Sequence, residues 1–193
     1  MVFDLVNNLG TASLNGRLLG RRHFGQICQA LTEVPPGEVV FLDFASIDFV
    51  TGSWINACLV PLLVWSADEQ HDLYPVITGL AAEWVDEFRT VATFTNECFM
   101  LGETDLSKGE LIGELEPAQL EAMQHVMRLQ EVTGAGLEHH CSGRVRATAW
   151  NNRLRGLSRK RLVRRTSQGR EQRYRPLVKE LFYGRQLLAS AGG

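Results

Sequence analysis

The chain has 193 residues, 45% of them apolar, which is enough for one large domain or for two small ones with cores of their own. Its net charge of −2 conceals an asymmetry: residues 1–140 carry twenty acidic and six basic side chains, net −14, whereas residues 141–193 carry two and fourteen, net +12. The longest apolar run, Ile55–Trp65, is too short to span a bilayer, MVFDLVNNLG does not read as a signal peptide, and the four cysteines form no C-x-x-C pair, so the expectation is a cytoplasmic chain with buried thiols, not a membrane protein or a zinc ribbon.

In chain order, Leu14, Leu18, Leu19, Ile27, Cys28 and Leu31 recur at helical spacing up to Pro35-Pro36-Gly37, which predicts an amphipathic helix with a firm stop. Val39–Phe44 follows as a short, largely apolar strand of the kind buried on both faces. Ser53 is placed to cap a helix starting near Trp54, which Pro61 is expected to kink or end. Tyr74–Thr78 reads as a strand, Ala81–Thr93 as a helix and Cys98–Leu101 as a strand, completing an alternating α/β pattern. Residues 103–117 are acidic, contain Gly and Pro and lack aromatics, so they read as a boundary, drawn at 104/105.

Beyond it the pattern predicts a helix at Pro117–Gln130 with Leu120, Met123, Val126 and Met127 inward, then a short helix capped by Thr133 and running to His140. Gly134 and Gly136 each weaken that second helix by about 1 kcal/mol relative to Ala. After a break at Ser142-Gly143 comes a helix from Arg144 to Lys160, two short strands at Leu162–Thr166 and Gln172–Leu177, and a final helix at Val178–Ala189.

The stretch NNRLRGLSRKRLVRR, residues 151–165, holds seven Lys or Arg in fifteen residues. In the helix that contains its start, Val145, Trp150, Leu154 and Leu157 fall on one side and leave Arg146, Ala147, Thr148, Asn151, Asn152 and Arg155 on the other. Those residue types suit base edges: Arg bridges guanine, Asn bridges adenine, and Thr offers its methyl to thymine. A solvated charged face is the plain alternative for such a run. One basic face followed by a basic hairpin favours nucleic acid, and the lack of an aromatic stacking platform favours duplex DNA over RNA, with Trp150 expected in the core.

The order helix, helix, break, long basic helix and basic hairpin, with "LRGLSRKRLVRRTSQGREQRYRPL" at its centre, resembles the winged helix-turn-helix of bacterial transcription regulators over about residues 117–177. That resemblance implies that Arg144–Arg155 enters the major groove and that Arg170, with Arg173, touches phosphate or the minor groove. The candidate DNA-binding set is Arg144, Arg146, Thr148, Asn151, Asn152, Arg155, Arg159, Arg165, Arg170 and Arg173. Arg161 departs from the family, which usually has a glycine there to end the recognition helix.

The stretch "VVFLDFASIDFVTGSWINACL", residues 39–59, resembles the strand-turn-helix centre of STAS domains, the α/β domains of anti-sigma-factor antagonists, and is closest to a STAS-like variety of unknown function. In partner-switching antagonists a serine at the start of that helix is phosphorylated; the matching position here is Gly52, so Thr51 and Ser53 read as helix caps. The resemblances together imply an α/β STAS-like domain at 1–104, a mixed sheet with helices, followed by a mainly α winged helix-turn-helix domain at 105–193 with a C-terminal helix. The expected function is a DNA-binding transcription regulator, acting as a homodimer through the final helix or the α/β domain, with no cofactor or metal and no membrane partner. A protein-interaction module of the antagonist kind, or a phage-type anti-defence protein that occupies a nucleic-acid channel, are the alternatives. No enzyme is expected: no G-x-S-x-G surrounds Ser53, Gly134-Ala135-Gly136 lacks a preceding strand, and His139-His140-Cys141 has no matching pair at zinc spacing.

Overall fold

In the computed structural model, which describes residues 1–169, 171–184 and 186–190, one mixed sheet runs through the molecule with helices on both faces. The elements are β1 (Val2–Asp4), α1 (Leu5–Leu9), β2 (Ser13–Leu14), α2 (Arg17–Leu31), β3 (Val39–Asp43), β4 (Phe49–Val50), α3 (Gly52–Ser66), β5 (Tyr74–Thr78), a 3₁₀ turn (Ala82–Trp84), α4 (Val85–Thr95) and β6 (Phe99–Gly102). They continue with β7 (Lys108–Ile112), α5 (Pro117–Leu129), α6 (Gly134–His140), α7 (Ala147–Arg159), β8 (Val163–Gln168), β9 (Glu171–Pro176), β10 (Glu180–Tyr183) and β11 (Gln186–Ser190). The seven-stranded sheet has the order β1-β3-β5-β6-β7-β10-β11; β6/β7 and β10/β11 are antiparallel and the other pairs parallel. Two-stranded pieces β2/β4 and β8/β9 lie outside it.

Alternation along the strands divides the core in two. Val40, Leu42, Ile77, Phe99 and Ile112 point to one face, where they meet Ile27 of α2, Trp54 and Leu59 of α3 and Phe88 of α4. Val39, Phe41, Tyr74, Val76, Met100 and Leu111 point to the other, against Met123 and Val126 of α5, Leu137 of α6 and Trp150, Leu154 and Leu157 of α7. The N-terminal strands therefore supply part of the core on which α5, α6 and α7 rest. Among the described residues no helix is long and apolar enough to cross a membrane.

Two expectations, the final helix and the Ser53 cap, are corrected, and the structure adds detail at two others. Residues 103–117 contain β7, hydrogen-bonded to β6 on one side and β10 on the other, so the 104/105 boundary falls in a hairpin turn and not in a linker. Its acidic, glycine-containing sequence looked like a loop, but only Leu111 and Ile112 need to be apolar for the strand to be anchored. The final helix is absent: Leu181 is buried as part of β10, parallel to β7, and Gly184 turns the chain at φ +58° into β11. Helical spacing of Leu181, Phe182, Leu187 and Leu188 lost to backbone pairing with β7, and with it goes the helical dimer surface. Pro61 lies inside α3 without ending it, the missing hydrogen bond being offset by burial of Cys58, Leu59, Leu62 and Leu63 around it. Thr51, not Ser53, caps α3, accepting from the Trp54 N–H at 3.3 Å while Ser53 bonds the Thr51 hydroxyl.

Candidate nucleic-acid interface

The predicted basic helix starts three residues late, at Ala147, with Arg146 extended before it. The carboxylate of Glu138, near the end of α6, takes over the helix start: it accepts from the Ala147 N–H at 3.0 Å and from Arg146 at 3.3 Å. A negative group at a helix N-terminus is favourable, so the pairing ties the end of α6 to the start of α7. Close approach of the two helices depends on Gly134, where a Cβ would lie 2.3 Å from Asn151 Oδ1 and 2.7 Å from the Ala147 carbonyl. Thr133 caps α6 as expected, accepting from the Gly136 N–H at 3.0 Å.

From there α7 presents two faces. Trp150, Leu154, Leu157 and Ser158 are buried. Thr148, Asn152, Arg155 and Arg159, at i, i+4, i+7 and i+11, form one exposed stripe. Asn151 is turned away from that stripe and packs on Gly134. Trp150 is fully buried, with the His125 ring edge-on at 5.3 Å and the Arg153 guanidinium 4.6 Å from its own ring centroid.

The helix ends at the residue that departs from the family pattern. Arg161 adopts a left-handed conformation, φ +58°, and the Leu162 N–H returns to the Leu157 carbonyl at 3.1 Å, closing a Schellman turn without glycine. The backbone strain, about 1–2 kcal/mol for a residue with a Cβ, is offset by its side chain. Only 3% exposed, Arg161 donates to the Leu73 carbonyl and to Asp72 Oδ1, each at 2.7 Å, and its guanidinium lies 3.9 Å from the Tyr74 ring centroid. Burial pushes the Tyr74 hydroxyl up from its ordinary pKa, against the opposing pull of Arg161, and that hydroxyl accepts from the Arg165 N–H at 3.0 Å. The end of α7 and the start of β8 are thus fastened to the N-terminal half.

The remaining predicted residues sort by their partners. Arg144 is exposed, on the link before α7. Arg165 pairs with Glu69 at 3.0 Å, and Arg173 is held between Glu131 at 2.7 Å and Glu171 at 3.3 Å. Glu131 also binds Arg175, and these two guanidiniums, Arg175 foremost, keep its carboxyl below the usual range. Arg170 lies outside the described residues. The hairpin β8/β9 is extended by Val132, whose N–H and C=O both pair with Tyr174. Acidic residues Glu69, Asp72, Glu131 and Glu138 thus complete the basic region, a role that net charge by segment could not reveal.

At the start of α3, the STAS-like position, Glu87 of α4 accepts from the Gly52 N–H at 2.7 Å. A carboxylate already lies where a phosphate on Ser53 would add negative charge. No protein-family model, curated protein or solved structure matches the chain.

Proposed function

We propose that this chain is a duplex-DNA-binding regulator that lays α7 in the major groove, as a homodimer, with the α/β layer serving dimerisation or the sensing of a partner. The observation that carries this reading is the exposed stripe of Thr148, Asn152, Arg155 and Arg159 on a helix whose opposite side is wholly buried. The order α5, α6, α7, β8 and β9, with Val132 bridging the hairpin, supports the winged helix-turn-helix resemblance. Within it, Thr148, Asn152 and Arg155 are the base-reading candidates; Arg144, Arg159, Arg165 and, by the resemblance alone, Arg170 are the phosphate contacts.

A salt titration tests it. With about four phosphates contacted per protomer, a dimer gives a log–log slope of affinity against salt near −7. A flat response overturns the reading. On a duplex selected from genomic fragments, Asn152→Ala costs about 1–3 kcal/mol, with little change on random DNA. Equal losses on both would make the binding blind to sequence. A second reading, a protein partner held by the α2–α4 layer, is favoured by the exposure of Leu18, Val64 and Phe94 there.

A further inference from the structure

We infer that the cleft at the carboxyl end of α7 is a second phosphate-binding subsite of this interface, where Glu69 of the N-terminal half is the intramolecular competitor that a DNA phosphate displaces. The inference rests on the duplex-DNA reading and extends it to the loop between α3 and β5.

The cleft has a volume of about 310 Å³ and is lined by Arg155, Arg159, Arg161 and Arg165 facing Asp68 and Glu69. Arg159, the last member of the exposed stripe and one turn beyond the base-reading Arg155, lines it, so the phosphates that flank the bases read by α7 arrive in it. The four guanidiniums differ in what it takes to recruit them. Arg161 is unavailable, because its donors are committed to the Leu73 and Ser158 carbonyls and to Asp72 in a buried setting. That commitment also covers a carbonyl at the negative end of α7 that would otherwise repel an anion. Arg155 and Arg159 have no acidic partner among the described residues.

Arg165 is the intermediate case. Its one carboxylate partner among the described residues, Glu69, is 84% exposed, and an ion pair so open to water is among the weakest polar contacts a folded chain makes. A phosphodiester offers two oxygens to the planar guanidinium and belongs to a dense line of charge, so it outcompetes a single exposed carboxylate. The exchange needs no backbone movement, since the Arg165 N–H stays anchored on the Tyr74 hydroxyl. Glu69 then swings into solvent. Before DNA arrives it neutralises Arg165 and weakens binding to any duplex, so the N-terminal half sets the affinity of a surface that belongs to the C-terminal half.

Fluorescence anisotropy with a duplex, over a range of salt concentrations, compares the full-length wild type with Glu69→Gln, Arg165→Ala and the double variant. Glu69→Gln is expected to bind tighter by about two- to fivefold for each protomer, the range set by an exposed ion pair. Arg165→Ala is expected to bind more weakly, with a salt slope shallower by about 0.9 per protomer, and adding Glu69→Gln to it should change nothing. Wild-type binding without any gain in Glu69→Gln overturns the subsite while leaving the DNA reading intact. So does a gain that survives removal of Arg165, which would be a long-range charge effect. Absence of wild-type binding at about 50 mM salt overturns the DNA reading and the subsite together. Arg165→Lys, which keeps the charge but loses the fork, replaces Arg165→Ala should the latter melt early, and is expected to fall between it and wild type.

Discussion

Both helical layers are anchored by a fully buried tryptophan with a histidine set edge-on against it, yet the two pairs are used differently. On the α2–α4 side, Trp54 donates its indole N–H to His23 Nδ1 at 3.1 Å, and His23 is itself buried, so the pair is closed on itself. On the α5–α7 side, the Trp150 N–H is buried without a partner among the described residues, and His125 turns its nitrogens to Arg128 at 2.9 Å and to the Cys141 thiol at 3.5 Å, on the rim of the helical corner. Arg128 also reaches His140 at 3.3 Å. The first pair satisfies its polar groups internally; the second holds charged groups at the surface. The difference matches their proposed tasks, support and recognition, although both rest on alternate residues of the same strands.

The largest test of this division is whether it is also a division of stability. Phe88→Ala in the first layer and Trp150→Ala in the second each cost about 3–5 kcal/mol, and because β3 and β5 feed both cores, each should lower a single thermal transition. Two transitions, with each variant moving only one, would show the layers to be independent units. Next comes the latch between them. Arg161→Ala breaks a buried pair and is expected to cost about 3 kcal/mol, toward the low end for such pairs because the Asp72 side chain is 28% exposed. Arg161→Gly loses the same contacts but relieves the left-handed backbone, so chemical denaturation should show it more stable than the alanine variant by about 1 kcal/mol. Equal losses would mean that the turn is not strained.

The smallest effect is on pH. Burial, with Arg22 nearby, holds the His23 pKa below its ordinary 6.5, and burial, with Arg128 and His140, does the same for His125. The unfolded chain therefore takes up protons that the folded chain refuses, and stability is lost as pH falls below 6.5 toward the folded pKa values. Melting temperature is expected to be level above about pH 7 and to decline below about pH 6.5. His125→Gln should remove its own share of that decline and leave the share of His23.

How much of this was legible in the sequence depended on where each residue finds its partners. Tyr74–Thr78 could be read to the residue, because a strand buried along its whole length is largely apolar. Helices α5 and α7 were likewise readable from one apolar stripe each, and α6 from its Thr133 cap. Strand β7 was not, since its glycine and acidic residues are tolerated only because strands lie on both sides of it. Asn151 looked as outward-facing as Asn152, and only the approach of Gly134 decided which of them is free.

By itself the sequence determined the local periods, the caps such as Thr133, and the segregation of charge toward the C-terminus, because each depends on residues a few positions apart. Tertiary structure alone decided that β10 joins β7, that Glu69 lies against Arg165 and that Arg161 closes a helix by reaching residues 88 and 89 positions away. Backbone pairing and ion pairing reward contact in space, and a linear pattern carries no measure of that distance.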